Sequence, residues 1–567
     1  MPKKFPTCST ILRGSDFTRD EEVRSQIPSP VPRGYFALKQ IFLYLIVALL
    51  SACGNGEPRK SSQQLETSDR EGRPNIVLLL FDDAGYSEMS AFGGEIHTPN
   101  VERIAREGMT VRRFYTAARC SPTRAGILTG HHPHDVGMAD LAGPKFKTEF
   151  SAYQGQLPLG IPLVSELLQE AGYKTYLQGK WHLGDIPGSQ SEPLTDSAPN
   201  LRGFDYFFGI MRGQADPYPN NPWGNPYRRN QETIPLTSGW FSIPGLNQET
   251  MQQLEVQFQT EKDAPFFLFI ASQSPHYPLA APEDLIAKYR KVYDQPLENI
   301  WNERVAQLRH LGLFPEKAPT KIPNFAGTRA EDIREQSAVR AAMIEATDTE
   351  FGKLLRLLEE NGQLDNTLII VASDNGAAAE TSQLANAPYR GAKGNLNEGG
   401  VLSPLVARWP AGGIAAGKIT DEMITYLDLM PTFLSATTVN YPKQWLSGSA
   451  LQPLQGRNLL PLLRGEKQPP PEYFFWNLYG AFAVLHQGRW KLLGNSAYDE
   501  NKERNHAPPT TELYDLLSDP AETTNVASKE SAMVALLLEN YEAWAPQHGA
   551  VPHYQILDAY KKNRSAN

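Results

Sequence analysis

Four apolar runs of strand length punctuate this chain, and each stops at a cluster of polar residues. NIVLLLF at 75–81 runs into Asp82-Asp83-Ala84-Gly85, and YKTYLQG at 173–179 runs into Lys180-Trp181-His182-Leu183-Gly184. PFFLFIAS at 265–272 is followed by Gln273-Ser274-Pro275-His276, and TLIIVAS at 367–373 by Asp374-Asn375-Gly376. Runs this rich in Val, Ile, Leu and Phe read as strands buried on both faces. Helical patterns fill the intervals. Thr98 to Gly108 offers a Thr cap, a Pro at the first helical position and a terminal Gly. Leu163 to Ala171 stops at Gly172, and Arg340 to Asn361 stops at Gly362. The alternation predicts an α/β fold, a large mostly parallel or mixed sheet sandwiched by helices. Ligands of such folds bind beyond the carboxyl ends of the strands. Here four strand ends carry acids, bases or metal-ligand types, more than solvated loops alone explain.

The C-terminal part is patterned differently. YFFWNL at 473–478, AFAVLH at 481–486 and RWKLL at 489–493 are short strands joined by turns, and a helical stretch follows from Ser531 to Trp544. They predict a smaller antiparallel sheet plus helix over 456–560, beside a main domain over 74–455, with loops that shape the pocket.

The N-terminus carries the uncharged run IFLYLIVALLSA at 41–52, preceded by Arg33 and Lys39. It is short for a bilayer span and suits an export signal. The run ends Leu50-Ser51-Ala52-Cys53-Gly54, which resembles a bacterial lipobox. That resemblance implies lipidation of Cys53 and export to the cell envelope of a bacterium, lipid-anchored or periplasmic. A signal cut near Ala52 without lipidation is the alternative. Residues 1–53 are expected to form the signal region and the polar residues 54–73 a flexible tether. Membrane contact is then expected only through the anchor. The three cysteines are Cys8, Cys53 and Cys120. Cleavage before Cys53 leaves Cys120 as the only free thiol and excludes an internal disulfide framework. A net charge of −9 without any basic run excludes a nucleic-acid-binding surface of the usual kind.

Cys120 opens the stretch CSPTRAGILTG at 120–130. Ser121 is a plausible N-cap and Pro122 fits the first helical position, which sets Cys120 at a helix N-terminus where an anion is favoured. On its own this cysteine reads as a buried structural thiol. Asp82, Asp83, Asp374 and Asn375 offer hard oxygen ligands that favour Ca²⁺ or Mg²⁺ over zinc, although DDAG and SDNG each also read as turns. Arg124, Lys180, His182, His276 and Lys393 add cations and bases suited to a tetrahedral anion. Lys393 lies in the glycine-rich RGAKGNLNEGG at 390–400.

CSPTRAGILTG resembles the signature of the sulfatase family, in which the cysteine becomes Cα-formylglycine (3-oxoalanine). DDAG, GKWHLG, SPHYP, SDNG and GAKG match the other motifs of that family, in family order. LVARWPAG, DLMPTFLSA, LQGRNLLPLLRGE, GRWKLL and ELYDLLSDPAETTNVA extend the resemblance over 74–545. PHYPLAAPEDLIAKYRKVYDQ and NERVAQLRHLGL resemble bacterial arylsulfatases in particular. Thr123 and His131 depart from the pattern, where serine and arginine are more usual. The resemblance implies an alkaline-phosphatase-like fold and hydrolysis of sulfate esters, of arylsulfatase type. It implies one Ca²⁺, with Mg²⁺ second, held by Asp82, Asp83, the matured Cys120, Asp374 and Asn375.

It also implies maturation by a formylglycine-generating enzyme and catalysis by Cys120, Arg124, Lys180, His182, His276 and Lys393. In that scheme one hydroxyl of the hydrated formylglycine attacks sulfur with help from Asp374. Lys180, Lys393 and Arg124 hold the developing charge. His276, with Lys393, protonates or stabilises the leaving alcohol, and His182 takes the proton of the second hydroxyl so that sulfate leaves and the aldehyde returns. A carbohydrate or glycosaminoglycan sulfatase and a phosphonate or phosphodiester hydrolase are alternatives on the same scaffold. A non-catalytic lipoprotein that binds sulfated glycans is the alternative of another class, and it would have discarded some of these groups. Leaving-group recognition is expected in loops such as Gly213 to Trp240.

Overall fold

The four apolar runs become neighbouring strands at the centre of a ten-stranded sheet. The computed structural model describes residues 72–566 apart from 144–145, 185–194, 220–224, 326–328, 447 and 495–510. The signal region with Cys8 and Cys53, and residues 54–71 of the expected tether, lie outside the described residues. Among the described residues no helix is long and apolar enough to cross a membrane.

The strands of the large sheet are β1 (Asn75–Phe81), β2 (Met109–Tyr115), β3 (Lys174–Lys180), β4 (Tyr206–Ile210), β5 (Arg228–Arg229), β6 (Glu232–Thr233), β7 (Phe266–Ala271), β8 (Thr367–Ser373), β9 (Leu402–Arg408) and β10 (Lys418–Thr425). Their order is β10-β2-β9-β8-β1-β7-β3-β4-β5-β6. β8, β1, β7, β3 and β4 form a parallel block. β9 runs antiparallel to both β8 and β2, so β2 points the same way as the block. Every residue of β1, β7 and β8 is buried. Successive strand residues face opposite sides, so full burial requires cover on both faces.

The longer helices are α1 (Pro99–Glu107), α2 (Cys120–Thr129), α3 (Val164–Glu170), α4 (Ser242–Thr260), α5 (Glu283–Tyr293), α6 (Leu297–His310), α7 (Arg329–Glu360), α8 (Leu429–Ala436), α9 (Ser531–Gln547) and α10 (His553–Ala566). One set packs around α7, which touches α1, α4 and α5, and another joins α2, α3 and α8. The structure extends and corrects the helix expectations. α7 begins at Arg329, well ahead of Arg340, because its first turns are polar and packed on α5 rather than regularly apolar. α1 starts at Pro99 as expected, but the Thr98 hydroxyl makes no capping bond; it accepts the Ser90 backbone N–H at 3.0 Å.

A two-stranded ribbon, β11 (Gln444–Trp445) and β12 (Ser449–Ala450), precedes the C-terminal sheet. That sheet is the antiparallel meander β13 (Tyr473–Leu478), β14 (Ala481–His486), β15 (Trp490–Gly494) and β16 (Thr511–Asp515). Val484, Leu492 and Leu513 pack against Leu537 of α9. The sheet is fastened to the large one by Trp476, whose indole N–H donates to the Thr116 carbonyl at 2.7 Å and whose ring meets Tyr115 edge-on. A buried ion cluster adds to the join: Lys491 Nζ lies 2.7 Å from Glu398 and 3.0 Å from Glu522.

Just beyond α2, His132 and His134 are buried among Trp544, Tyr153 and His548. Burial pushes the His132 imidazole down to about 4, against the opposing pull of Asp135. Burial, and then the neighbouring His132, hold His134 well below its ordinary value. The unfolded chain binds protons at both histidines near pH ~6.5, whereas the folded chain does not. Acidification therefore favours the unfolded state, and these two groups remove stability as pH falls from ~6.5 toward about 4, with no effect above ~7. We expect the Tm of His132→Gln/His134→Gln to fall less steeply between pH 7 and 5 than that of the wild type. Parallel slopes would assign the acid sensitivity elsewhere.

Candidate active site

The topology delivers the polar clusters to one edge. β8, β1, β7 and β3 are adjacent and parallel, so Asp374-Asn375, Asp82-Asp83, His276 and Lys180-His182 leave the sheet side by side. β2 ends on the same edge and leads through Thr116 to Cys120. Antiparallel β9 begins on that edge, which places the preceding Lys393 loop there too. The ladder continues past the strands, with Asp82 N donating to Ser274 O and Asp374 N to Phe81 O, both at 3.0 Å.

Local geometry shows strain where the side chains converge. Asp83, Ala118 and His182 have φ of 71°, 60° and 56°, the left-handed region that non-glycine residues avoid. Gly179, with φ 99°, is obligatory ahead of Lys180, because a Cβ there would lie 2.1 Å from the Ala271 carbonyl oxygen. Gly213 gives way to His182 in the same manner: its Cβ would sit 2.6 Å from the imidazole Cε1.

α2 begins at Cys120 itself, after extended Arg119, so the expected cap at Ser121 is corrected. The Ser121 hydroxyl is used instead to donate to the His182 carbonyl at 2.9 Å, which ties the helix start to the end of β3. All ten residues of the helix are buried. Thr123, the first departure from the family motif, keeps a hydroxyl that accepts the Ala117 N–H at 3.0 Å. His131, the second, lies 3.0 Å from the Tyr441 hydroxyl and is pushed below its ordinary range by burial, so it supplies no arginine-like charge.

Cys120 Sγ donates to Asp82 Oδ1 at 3.3 Å, and Lys180 Nζ donates to Asp82 Oδ2 at 2.6 Å. Arg124 gives Nε and an Nη to Asp374 Oδ2 at 3.1 and 2.9 Å. Asp374 Oδ1 accepts the Asp83 backbone N–H at 3.3 Å. Asp83 is clamped by Lys393, 2.7 Å from Oδ1, and by the Asn375 amide, also at 2.7 Å. His276 Nε2 stands 3.8 Å from Asp83. Three buried carboxylates thus face three permanent cations. Two residues that the sequence reading left out support this array. Arg340 of α7 pairs with Glu88 at 2.6 Å and donates to the Asp83 carbonyl at 2.8 Å. In the sequence their only signal is charge inside otherwise apolar surroundings.

Electrostatics follow from burial. Burial alone would raise Asp82, but Lys180, His276, Arg124 and Lys393 outweigh it and hold the carboxyl well below its usual range. Burial and the Asp82 charge instead lift Asp374 to about 7, despite Arg124. Burial, then Lys180, push His182 well below its ordinary value, and burial, then Lys393, bring His276 to about 4. Both imidazoles are therefore neutral at pH 7 and can act as proton acceptors. Burial and Asp82 push the Cys120 thiol up to about 12. The encoded cysteine is thus protonated near neutral pH and a poor nucleophile.

A cation fits here. Ligand atoms of Asp82, Asp83, Cys120 and His276 lie within 4.8 Å of one another. Asn375 Oδ1 is buried without a hydrogen-bond partner, an unmet acceptor that a metal would satisfy. Aspartate and amide oxygens are the donors that Ca²⁺ and Mg²⁺ prefer.

The sulfatase family model matches residues 74–439, and the model for the C-terminal region of N-sulphoglucosamine sulphohydrolase matches 393–542. An uncharacterized sulfatase of Schizosaccharomyces pombe is 30% identical over 84% of this chain and 94% of its own length. An arylsulfatase of Klebsiella aerogenes is 26% identical over 69% of this chain and 92% of its own. Among solved structures, Ps i-CgsB in complex with k-i-k-neocarrahexaose superposes with a TM-score of 0.65 at 25% identity, covering 87% of this chain and 98% of that one.

Proposed function

The chain belongs to the sulfatase family, a family of sulfuric ester hydrolases, and from that premise we propose that it hydrolyses sulfate esters at Cys120 after maturation of that residue to formylglycine. One observation carries this reading: a buried cysteine that is protonated as encoded stands among three cations suited to a tetrahedral anion and three carboxylates suited to a divalent cation. Formylglycine at this position would supply an aldehyde whose hydrate offers one hydroxyl for attack and another for expulsion of the sulfate. A divalent cation held by Asp82, Asp83, Asp374 and Asn375 would supply Lewis acidity, with Ca²⁺ the first choice and Mg²⁺ the second.

The chain's own side chains do the rest. Lys180, Arg124 and Lys393 are fixed cations in a water-poor site, where they stabilise charge that develops on the sulfate oxygens. Each is held in place by a carboxylate, at 2.6, 2.9 and 2.7 Å. Neutral His182 accepts a proton close to Cys120, and His276 serves the leaving alcohol on the Lys393 side. The arylsulfatase of Klebsiella aerogenes supports an aryl leaving group. The match to an N-sulphoglucosamine sulphohydrolase C-terminal region and the likeness to a structure solved with k-i-k-neocarrahexaose favour a second reading, a sulfated saccharide.

The test is a rate comparison with the purified, matured protein on 4-nitrophenyl sulfate, on sulfated mono- and disaccharides and on 4-nitrophenyl phenylphosphonate. Free sulfate is read by ion chromatography. We expect sulfate release from at least one ester class at a higher kcat/KM than phosphonate cleavage. A preference for the phosphonate would transfer the chain to the phosphonate and phosphodiester alternative. No turnover with a fully matured residue 120 would support a binding protein.

A further inference from the structure

Arg119 precedes Cys120, and its guanidinium is held in a way that leaves its fork open. Nε donates to the Tyr479 hydroxyl at 2.8 Å, and the guanidinium carbon lies 5.1 Å from the centroid of that ring. Tyr479 sits in the β13–β14 turn with φ 51°. Its hydroxyl donates to Asp140 Oδ1 at 3.0 Å, and the Tyr560 hydroxyl of α10 donates to Oδ2 at 2.9 Å. The Leu141 N–H adds a third bond to Asp140 at 2.7 Å. The Asp140 carboxylate is therefore satisfied by other donors; its charge is felt at Arg119, but its hydrogen-bonded link to Arg119 runs through Tyr479.

Among the described residues, neither Nη group of Arg119 has a hydrogen-bond or ion-pair partner, and neither is sealed from solvent. The residue is half-buried. Its charge is close enough to Cys120 and Lys393 to be felt by both. Within the site, three carboxylates and three cations already pair off. Arg119 is a further, half-buried cation directly before Cys120, oriented by Tyr479 and with both Nη groups unpaired. Planar, pre-oriented guanidinium groups of this kind bind carboxylates and sulfates in a bidentate manner. A single sulfate ester group engaged by Arg124, Lys180 and Lys393 leaves this fork unfilled.

We propose that Arg119 binds a second anionic group on the leaving part of the substrate, so that the enzyme prefers sulfate esters carrying a further carboxylate or sulfate. This rests on the sulfatase reading above and specifies its substrate class. The chain Asp140–Tyr479–Arg119 is the device that holds the fork toward the incoming ester, contributed jointly by the main sheet and the C-terminal sheet.

The test uses two substrate pairs with wild type, Arg119→Gln and Arg119→Lys. One pair is 4-carboxyphenyl sulfate and its methyl ester. The other is a monosulfated glucosamine and the same sugar with a second sulfate. The readout is the ratio of KM values within each pair, which cancels differences in matured enzyme between variants. Wild type should favour the charged member of at least one pair. Arg119→Gln should erase that preference by about 10- to 100-fold in the KM ratio, the range for hydrogen bonds to a charged group, with the kcat ratio little changed. Arg119→Lys should retain part of it. The pair that responds tells whether the second anion is carboxylate or sulfate. A wild-type preference that survives in Arg119→Gln, or no preference in either pair while sulfate is still released, overturns the proposal and leaves the sulfatase reading intact. Absence of sulfate release from all four compounds overturns the proposal, and absence of release from 4-nitrophenyl sulfate as well, with residue 120 fully converted, overturns the sulfatase reading too.

Discussion

Cys120→Ala should abolish sulfate-ester turnover, with a loss on the order of 10⁴-fold or more, as for removal of a nucleophile whose neighbours remain. The fold should be little affected. Cys120 is a small buried side chain whose one hydrogen bond is a long thiol contact to Asp82 at 3.3 Å. Cys120→Ser separates nucleophilic attack from product release. A serine hydroxyl can attack sulfur, yet it lacks the second hydroxyl that lets the adduct collapse to an aldehyde and expel sulfate. This variant should accumulate as a sulfated protein after one turnover, detectable in the intact mass. Turnover by Cys120→Ser at a rate near wild type would show that the aldehyde is not needed.

The second large effect is expected at Asp82. Its side chain is fully buried and is shared by Lys180, Cys120 and, at 3.9 Å, Arg124. Removing one member of a buried ion pair leaves its partner charged and unsolvated, at a cost of about 3–5 kcal/mol. Asp82→Ala should therefore lose both activity and stability, the latter visible as a lower denaturant midpoint. The same substitution should lower metal content. Elemental analysis of wild type should give about one equivalent of Ca²⁺, with Mg²⁺ as the substitute. Chelation should remove activity and Ca²⁺ should restore it. Zinc as the dominant metal, with activity that follows zinc, would refute the assignment.

How far the sequence foretells these results depends on what each element is buried against. β1, β7 and β8 are legible because a strand covered on both faces is apolar almost throughout, and an acid or base beyond its end breaks the run, whereas β3, KTYLQGK, is buried but mixed and is marked mainly by the Gly-Lys-Trp-His cluster at its end. β10 reads KITDEMIT and is half exposed at the sheet margin, and β5 and β6 have two residues each, so none gives a signal. β2 carries Arg112 and Arg113 in its middle, where burial is only partial. β9 is fully buried, yet it follows the Lys393 loop so closely that the loop's polarity hides its start.

The site shows the same division. Asp82 and Asp374 are recognisable because each ends an apolar run, and Lys180 and His276 because each lies in the polar cluster at or just beyond the end of a strand. The pairing of the Asn375 amide with Asp83, the Arg340–Glu88 support and the open fork of Arg119 depend on contacts between residues far apart in sequence. Local rules favour Ser121 as the cap, but tertiary demand for its hydroxyl at His182 overrides that preference. The mixed character of the sheet arises from β9, an antiparallel strand inserted between two strands of the opposite sense, and from the short β5, which runs antiparallel to both β4 and β6.

The most direct measurement of the central claim is the mass of the peptide containing Cys120, taken from preparations of graded sulfatase activity. Conversion of the thiol to the aldehyde replaces H₂S by O, and specific activity should rise in proportion to the converted fraction, with none at zero conversion. Unmodified thiol enzyme that releases sulfate as fast as the converted form would contradict the account.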